Sequence, residues 1–510
     1  MDLLVKPEAF RPLTKIARFL AEEGIPSYLV GGFMRDALVE RDTADVDIAV
    51  DDDALETARR AAGALEGRYV PLDSENGIGR VVLSDSNTSH DIQKINIDFS
   101  TLRGNIENDL AQRDFTVDAM AIKLDESLDA GLSTDSIIDP FGGREDLRRG
   151  LIRTVDEGVF RADAVRLLRA VRIAAELDFS IHNETESLIA RDCRLITGIA
   201  GERIREELLR ILTLPGASAR LAYLDRLGLL TSIIPELDPA KGVDQPKIHF
   251  WDVFDHSIQT VATVEFLLRE KPWEFAGDEV LAPVPWTDEI RAHFNNAVSS
   301  GSTRGSLLKL SALLHDIAKP QTKTIDNDGR ARFLGHSQEG ATGAAEILER
   351  LRFSNKEIKY VELLISQHLR PLQMSHQGMP SRRAVYRFFR DIEELYIDLL
   401  FLCMADHLAT RGPELDLVQW REHTALTEYV LNAHREQESL SLPPRLLNGY
   451  DLIKEFGMQP GPEIGKVLET LREAQAAGEI STKQEAMDFV KRFLKENPGE
   501  NPDITGCIEE

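Results

Sequence analysis

Strand-like apolar runs cluster in the first 150 residues of this 510-residue chain, and from about Ala162 onward the apolar spacing is helical nearly everywhere. The short β-rich runs are Tyr28-Leu29-Val30, Val46-Asp47-Ile48-Ala49-Val50, Arg80-Val81-Val82-Leu83 and Ile95-Asn96-Ile97-Asp98-Phe99, with a helical stretch from Ala54 to Leu65 between them. The pattern predicts an α/β N-terminal head followed by an all-α remainder. A chain of this length buries several cores, so two to four domains are expected. The stretch from Glu270 to Gly305, with Pro272, Pro283, Pro285 and the run Ser299 to Ser302, reads as an insertion or loop inside a helical domain. A second break falls near Leu442-Pro443-Pro444, and the polar tail from Pro498 is expected to be poorly ordered.

Composition narrows the classes of function. With 42% hydrophobic and 29% charged residues the chain is in the globular range. No apolar run approaches the roughly 20 residues that span a bilayer. The start, MDLLVKPEAF, lacks a signal peptide's long apolar stretch, so a cytoplasmic location and no membrane partner are expected. Three cysteines, Cys193, Cys403 and Cys507, show no paired spacing, which argues against a disulfide framework and a Cys-based zinc site. The net charge of −26 opposes a general affinity for nucleic acid, so any RNA must meet a local basic surface. The segment from Arg144 to Arg210 is rich in arginine and contains no lysine, and arginine's planar fork suits phosphates and bases.

Two constellations carry chemistry. In the first, Tyr28-Leu29-Val30 feeds Gly31-Gly32 and then a helix containing Arg35 and Asp36, followed by Asp45-Val46-Asp47. Glycines at a strand-to-helix turn let backbone amides approach a triphosphate, which the helix N-terminus also favours. Strand alternation puts Asp45 and Asp47 on one face, where two carboxylates can hold a pair of hard cations for in-line displacement at phosphorus. Asp98, on another predicted strand, is a candidate third carboxylate.

This order and spacing resembles the nucleotidyltransferase signature of the DNA polymerase beta superfamily, in particular the class II (bacterial-type) tRNA nucleotidyltransferase and poly(A) polymerase family. Arg113-Asp114-Phe115-Thr116 looks like the family's Arg-Arg-Asp-Phe-Thr motif, implicated in ribose recognition, with Gln112 in place of the first arginine. Asp139-Pro140-Phe141-Gly142-Gly143-Arg144 matches its flexible linker, where paired glycines suggest a hinge. Asp163 and Arg166, three residues apart and expected on one helical face, resemble the family's base-reading pair, with Arg169 and Arg172 on the same helix. Ala162 stands where a glutamate is usual, and Ala164 where a proline is common. Gly201-Glu202-Arg203-Ile204-Arg205-Glu206-Glu207 resembles a segment that braces the neck helices.

In the second constellation His256, His315, Asp316 and Asp406 recur on apolar helices, joined by His336 and His368. Such residues are costly to bury unless they bind metal or each other. The pattern looks like an HD domain, which implies phosphohydrolase chemistry on RNA ends. Together the resemblances imply a DNA polymerase beta-like head (1–150), a helical neck (151–240), an HD domain (241–412), C-terminal helices that bind RNA (413–497) and a tail (498–510). The implied activity is template-independent addition of CCA, from CTP and ATP, to the 3′ end of tRNA, with two Mg²⁺ at the head and a divalent transition metal in the HD domain. Terminal-A addition, CC addition and poly(A) tailing share these motifs. A metal-dependent phosphohydrolase with an RNA-binding head is the alternative of a different class. Oligomeric state is not legible.

Overall fold

The computed structural model describes residues 7–41, 45–74, 77–84, 94–124, 136–246, 248–375, 378–439 and 446–497. Two compact units result: one of residues up to Leu214 with Ala222–Pro235, the other of Pro215–Leu221 with the residues from Glu236 onward. The break near Leu442 and the tail from Pro498 lie outside the described residues.

The first unit is built on a seven-stranded sheet. Its strands are β1 (Ser27–Val30), β2 (Asp45–Val50), β3 (Arg68–Asp73), β4 (Ile78–Ser84), β5 (Lys94–Thr101), β6 (Ala121–Lys123) and β7 (Ile137–Ile138), in the order β3-β4-β5-β2-β1-β6-β7. β2 and β5 pair in parallel and the other pairings are antiparallel. Alternation in β2 divides its side chains between two cores. Val46, Ile48 and Val50 pack with Leu13, Ile16 and Leu20 of the Pro7–Glu22 helix and with Ala54 and Ala58 of the Ala54–Ala64 helix. Ala49 faces the other way, against Ile106, Leu110 and Ala119. Asp45 and Asp47 share the Ala49 face, because side chains two residues apart point the same way. The Ala54–Ala64 helix starts where Asp53 accepts hydrogen bonds from the amides of Leu55 and Glu56.

The helices from Val159 to Thr213 complete this unit, and the expected all-α character holds except for a two-residue ladder of Leu151–Ile152 with Ser180–Ile181. The Gly142-Gly143 junction is packed where the sequence suggests a hinge. A Cβ at Gly143 would lie 2.2 Å from the Thr116 carbonyl oxygen. Asp139 accepts from the amides of Gly143 and Arg144 at 2.7 and 3.0 Å, and Gly142 sits at φ 76°. Both glycines are therefore required by close approach and left-handed backbone.

The second unit is helical, with two small hairpins at Ala297–Thr303 and Lys323–Phe333. Of the two readings of Glu270 to Gly305, insertion or loop, the loop is corrected here. The stretch forms helices Asp278–Leu281 and Asp288–Asn295, and buries Trp273, Val280, Val284, Ile290 and Phe294. Phe294 packs on Phe401 with ring centroids 4.9 Å apart, and Trp420 Nε1 donates to the Val280 carbonyl at 2.8 Å. Prolines at the helix boundaries mimic the composition of a loop, but the apolar residues between them fasten the segment to the core.

Candidate functional site

In the first unit the strand-to-helix turn behaves as the sequence suggests. β1 ends at Val30, and Gly31, at φ 71°, opens the Gly31–Leu38 helix. A Cβ on Gly31 would lie 2.7 Å from Asp47 Oδ2 and 2.9 Å from Arg113 Nη1, so only glycine lets the turn approach the carboxylate. Asp47 stands opposite Asp98 in the parallel β2/β5 register, and Asp45 opposite Asn96, whose Nδ2 donates to Asp45 Oδ1 at 2.8 Å. Burial, reinforced by the neighbouring Asp98 and Asp118 and opposed by Arg113, pushes the Asp47 carboxyl up to about 6. Asp98 is an ion-pair partner: Arg80 Nε and Nη2 grip its two oxygens at 2.6 and 2.7 Å.

Asp47, Asp98, Gly31, Gly32 and Asp118 line a cavity of about 320 Å³. It shares Arg113, Asp114 and Arg169 with a second cavity of about 550 Å³, which is lined also by Asp163, Arg166 and Arg203. Arg169 Nε lies 2.6 Å from Asp114 and Arg113 Nη2 3.3 Å from Asp109, so the side chains between the two cavities are fixed in place.

Three sequence expectations are corrected. Asp163 and Arg166 do not share a helical face: Asp163 ends the Val159–Ala162 helix in extended conformation (φ −155°, ψ 106°), and the next helix begins at Arg166. Asp163 Oδ1 accepts from the Val165 amide at 3.3 Å, a local bond that competes with helix continuation. The partner of Asp163 is Arg203, at 2.7 and 3.0 Å, while Arg166 Nη2 donates to the Gln112 carbonyl at 2.9 Å. Arg172 is buried between Glu207 (2.6 Å) and Glu176 (2.7 Å), a brace between helices that lines neither cavity. Arg35 is likewise buried, donating to Asp118 at 2.8 Å and to Asp36 at 2.9 Å, and neither Arg35 nor Asp36 lines the cavity. Asp118 and Arg80 were not singled out from sequence as site residues, and Arg203 was read only as part of a bracing segment. Asp118 lies two residues beyond the Arg113-Asp114-Phe115-Thr116 motif, which is the signal that could have found it.

In the second unit all six expected residues converge. His256 Nε2 lies 3.2 Å from His315 Nε2, 3.0 Å from Asp406 Oδ1 and 3.5 Å from Asp316 Oδ2. His336 Nε2 lies 3.4 Å from Asp316 Oδ1, and both atoms are buried without a hydrogen-bond partner among the described residues. The Nδ1 atoms of His315, His336 and His368 face the carbonyls of Ala312, Phe333 and Ile365 at 2.8, 2.6 and 2.7 Å. That leaves each Nε2 directed at the cluster, the orientation that a backbone carbonyl on Nδ1 imposes on a metal-binding imidazole. The groups His256-His315-Asp316 and Asp316-His336-His368 each bring three ligand atoms within 4.8 Å. Burial opposes charge on His315, yet Asp316 and Asp406 outweigh it and hold the imidazole up at about 10. The atoms of His336 and Asp316 that lack a hydrogen-bond partner among the described residues fit a cation.

The segments that carry the two sites match known domain families. Residues 27–153 match the Poly A polymerase head domain, 253–411 the HD domain, and 333–490 a tRNA nucleotidyltransferase domain 2 model. The A-adding tRNA nucleotidyltransferase of Deinococcus radiodurans is 35% identical over 92% of this chain and 96% of its own length. The chain belongs to the class II, bacterial-type tRNA nucleotidyltransferase family. The CC-adding tRNA nucleotidyltransferase of Thermus thermophilus is 33% identical over 91% of the chain and 93% of its own. The CCA-adding enzyme of Thermotoga maritima complexed with tRNA shares the fold, with TM-score 0.59 and 22% identity over 97% of this chain and 99% of that one. A CCA-adding enzyme solved with ATP superposes at TM-score 0.63, with 22% identity and 97% of each chain covered. Like its relatives this member is an enzyme, and its family uses divalent metal. No helix among the described residues is long and apolar enough to cross a membrane.

Proposed function

We propose that the protein adds nucleotides, without a template, to the 3′ end of tRNA, with CTP and ATP as substrates and full CCA addition as the product. One observation carries the reading: the cavity holding Asp47 opens, through Arg113, Asp114 and Arg169, onto the cavity holding Asp163 and Arg166. The first suits a triphosphate and the second a base and ribose. Asp45 and Asp47, hard oxygen donors on one strand face, would hold two Mg²⁺, which supply charge neutralisation at the reacting phosphorus and activation of the 3′-hydroxyl. The Gly31-Gly32 turn presents backbone amides and a helix N-terminus to the phosphates. Arg113 and Asp114 fix the ribose. Asp163 accepts from an exocyclic amine and Arg166 donates to ring acceptors, which selects C and A over U and G. Base selection resides in protein because both side chains are already oriented, Asp163 by Arg203 and Arg166 by Gln112.

A split activity, A only or CC only, is the second reading. It is favoured by the Deinococcus and Thermus relatives, which match along nearly the whole chain and carry those names. Incubating the protein with tRNA ending at the discriminator base, at C or at CC, each with CTP or ATP alone, separates the readings. Failure to extend any of the three would overturn both.

The chain divides, on this reading, into the head 1–150, neck 151–240, HD domain 241–412 and C-terminal body 413–497. The HD cluster would bind a divalent transition metal and hydrolyse phosphates at RNA ends, supported by the orphaned atoms of His336 and Asp316. Opening of 2′,3′-cyclic ends to the monophosphate, or release of phosphate from 2′-phosphorylated ends, that persists in Asp45→Ala tests it.

A further inference from the structure

Two guanidiniums of the base-side cavity rest on a residue that cannot neutralise them. Of the six arginines that line this cavity, Arg113 pairs with Asp109, Arg169 with Asp114 and Arg203 with Asp163, and Arg210 makes no salt bridge with a described carboxylate. Arg103 and Arg166 instead meet at Gln112. Arg103 Nη1 donates to Gln112 Oε1 at 3.0 Å, and Arg166 Nη2 donates to the Gln112 carbonyl at 2.9 Å. Neither forms a salt bridge with a described carboxylate. An amide oxygen accepts a hydrogen bond and leaves the donor's charge intact, so two positive charges stay available in a chain whose net charge is −26.

The local fold explains the meeting. Gln112 caps the C-terminus of the Ile106–Ala111 helix, where backbone carbonyls lack intrahelical partners, and Arg166 takes one of them. Arg103 lies two residues past the end of β5, before Gly104 at φ 82° turns the chain into the Asn105 cap of the same helix. The Arg103 side chain is exposed, and it lines both this cavity and an adjoining one of about 1040 Å³.

We propose that Arg103 binds a phosphate group of the substrates, and that Gln112 is the positioning residue that aims it while preserving its charge. The inference rests on the nucleotidyl-transfer reading and deepens it, because Arg103 belongs to no motif singled out from sequence. The phosphate comes either from the incoming triphosphate or from the backbone of the RNA acceptor, and the two are separable by titration.

The full-length protein is titrated with ATP and Mg²⁺ without RNA, and with tRNA lacking its terminal CCA without nucleotide. Arg103→Ala weakens one of the two titrations about tenfold, the scale of one charge-assisted hydrogen bond. The titration that responds identifies the source. Gln112→Glu keeps an acceptor oxygen at the same reach but adds a negative charge, so it weakens the same titration, whereas a purely structural bond would survive it. Arg103→Lys recovers part of the loss. Both Arg103→Ala and Gln112→Glu within twofold of wild type for ATP and for tRNA would overturn the inference, and Arg103→Ala weak with Gln112→Glu unchanged would overturn the role of Gln112. Binding is read without turnover, so a protein that binds but fails to extend tRNA refutes the functional reading separately.

Discussion

Asp47 and Asp98 stand opposite each other on adjacent parallel strands, yet they are in unlike states: Arg80 grips both oxygens of Asp98, whereas Asp47 makes no salt bridge with a described residue and faces the cavity. An unclamped, desolvated carboxylate is poised to take a cation. Its clamped neighbour raises the local negative potential while staying in place.

Asp45→Ala and Asp47→Ala are each expected to lower nucleotide incorporation about 100-fold or more, the scale of one preorganised charge-stabilising group. Circular dichroism and gel filtration should be unchanged. Incorporation within tenfold of wild type by either variant would remove the assignment.

Asp47 also links stability to pH. Its carboxyl is raised from 3.8 to about 6 in the folded chain, so the charged form is destabilised there relative to the unfolded chain. The cost is complete above about 6 and vanishes below 3.8, and it amounts to about 2 to 3 kcal/mol at neutral pH. Asp47→Asn is therefore expected to melt at a higher temperature than wild type at pH 8 in chelator, with the gap closing as pH falls toward 5. In the wild type, Mg²⁺ affinity should fall as pH drops through 6, because the proton and the cation compete for the same oxygens.

Gly31→Ala places a methyl group 2.7 Å from Asp47 Oδ2 at a φ of 71°. The left-handed backbone costs an L residue roughly 1 kcal/mol, and the clash displaces the carboxylate besides. Incorporation should drop sharply with only a modest loss of melting temperature. An equal fall in both would mean that the turn is merely structural.

Arg203→Ala frees Asp163 from its partner at 2.7 Å. Misincorporation of UTP and GTP should rise relative to CTP and ATP while total incorporation changes less, as with Asp163 or Arg166 variants. Single-nucleotide extension assays measure both quantities.

His315→Ala should empty the second unit of any co-purifying transition metal, read by elemental analysis, and leave nucleotide incorporation intact. The imidazole lies 3.1 Å from Asp316 and faces His256 at the centre of the cluster. Metal retained at the wild-type level would show that the cluster is a polar core only.

The residues whose roles depend on nearest neighbours in the chain were legible before the structure. Gly31-Gly32 follows a strand and opens a helix, and Asp45 and Asp47 share a strand face by alternation. The histidines and aspartates of the HD cluster stood out because apolar helices rarely bury them. Arg172 misled for a related reason: a helix bearing Arg166, Arg169 and Arg172 says nothing about which arginine meets a carboxylate. Glu207, 35 residues away, takes Arg172 out of the site.

By itself the sequence determined the one-sided distribution of strands, the strand–turn–helix with its paired aspartates, and the six ligand-type residues of the second unit. These depend on backbone periodicity and on the high cost of burying polar groups, both local properties. Only the tertiary structure decided that Asp98 is clamped by Arg80, that Asp163 answers to Arg203, and that Arg103 and Arg166 share Gln112. Those pairings join segments separated by 18, 40, 9 and 54 residues. Side-chain hydrogen bonds and charge pairs form wherever packing brings a donor within a few ångströms of an acceptor, which spacing along the chain does not encode.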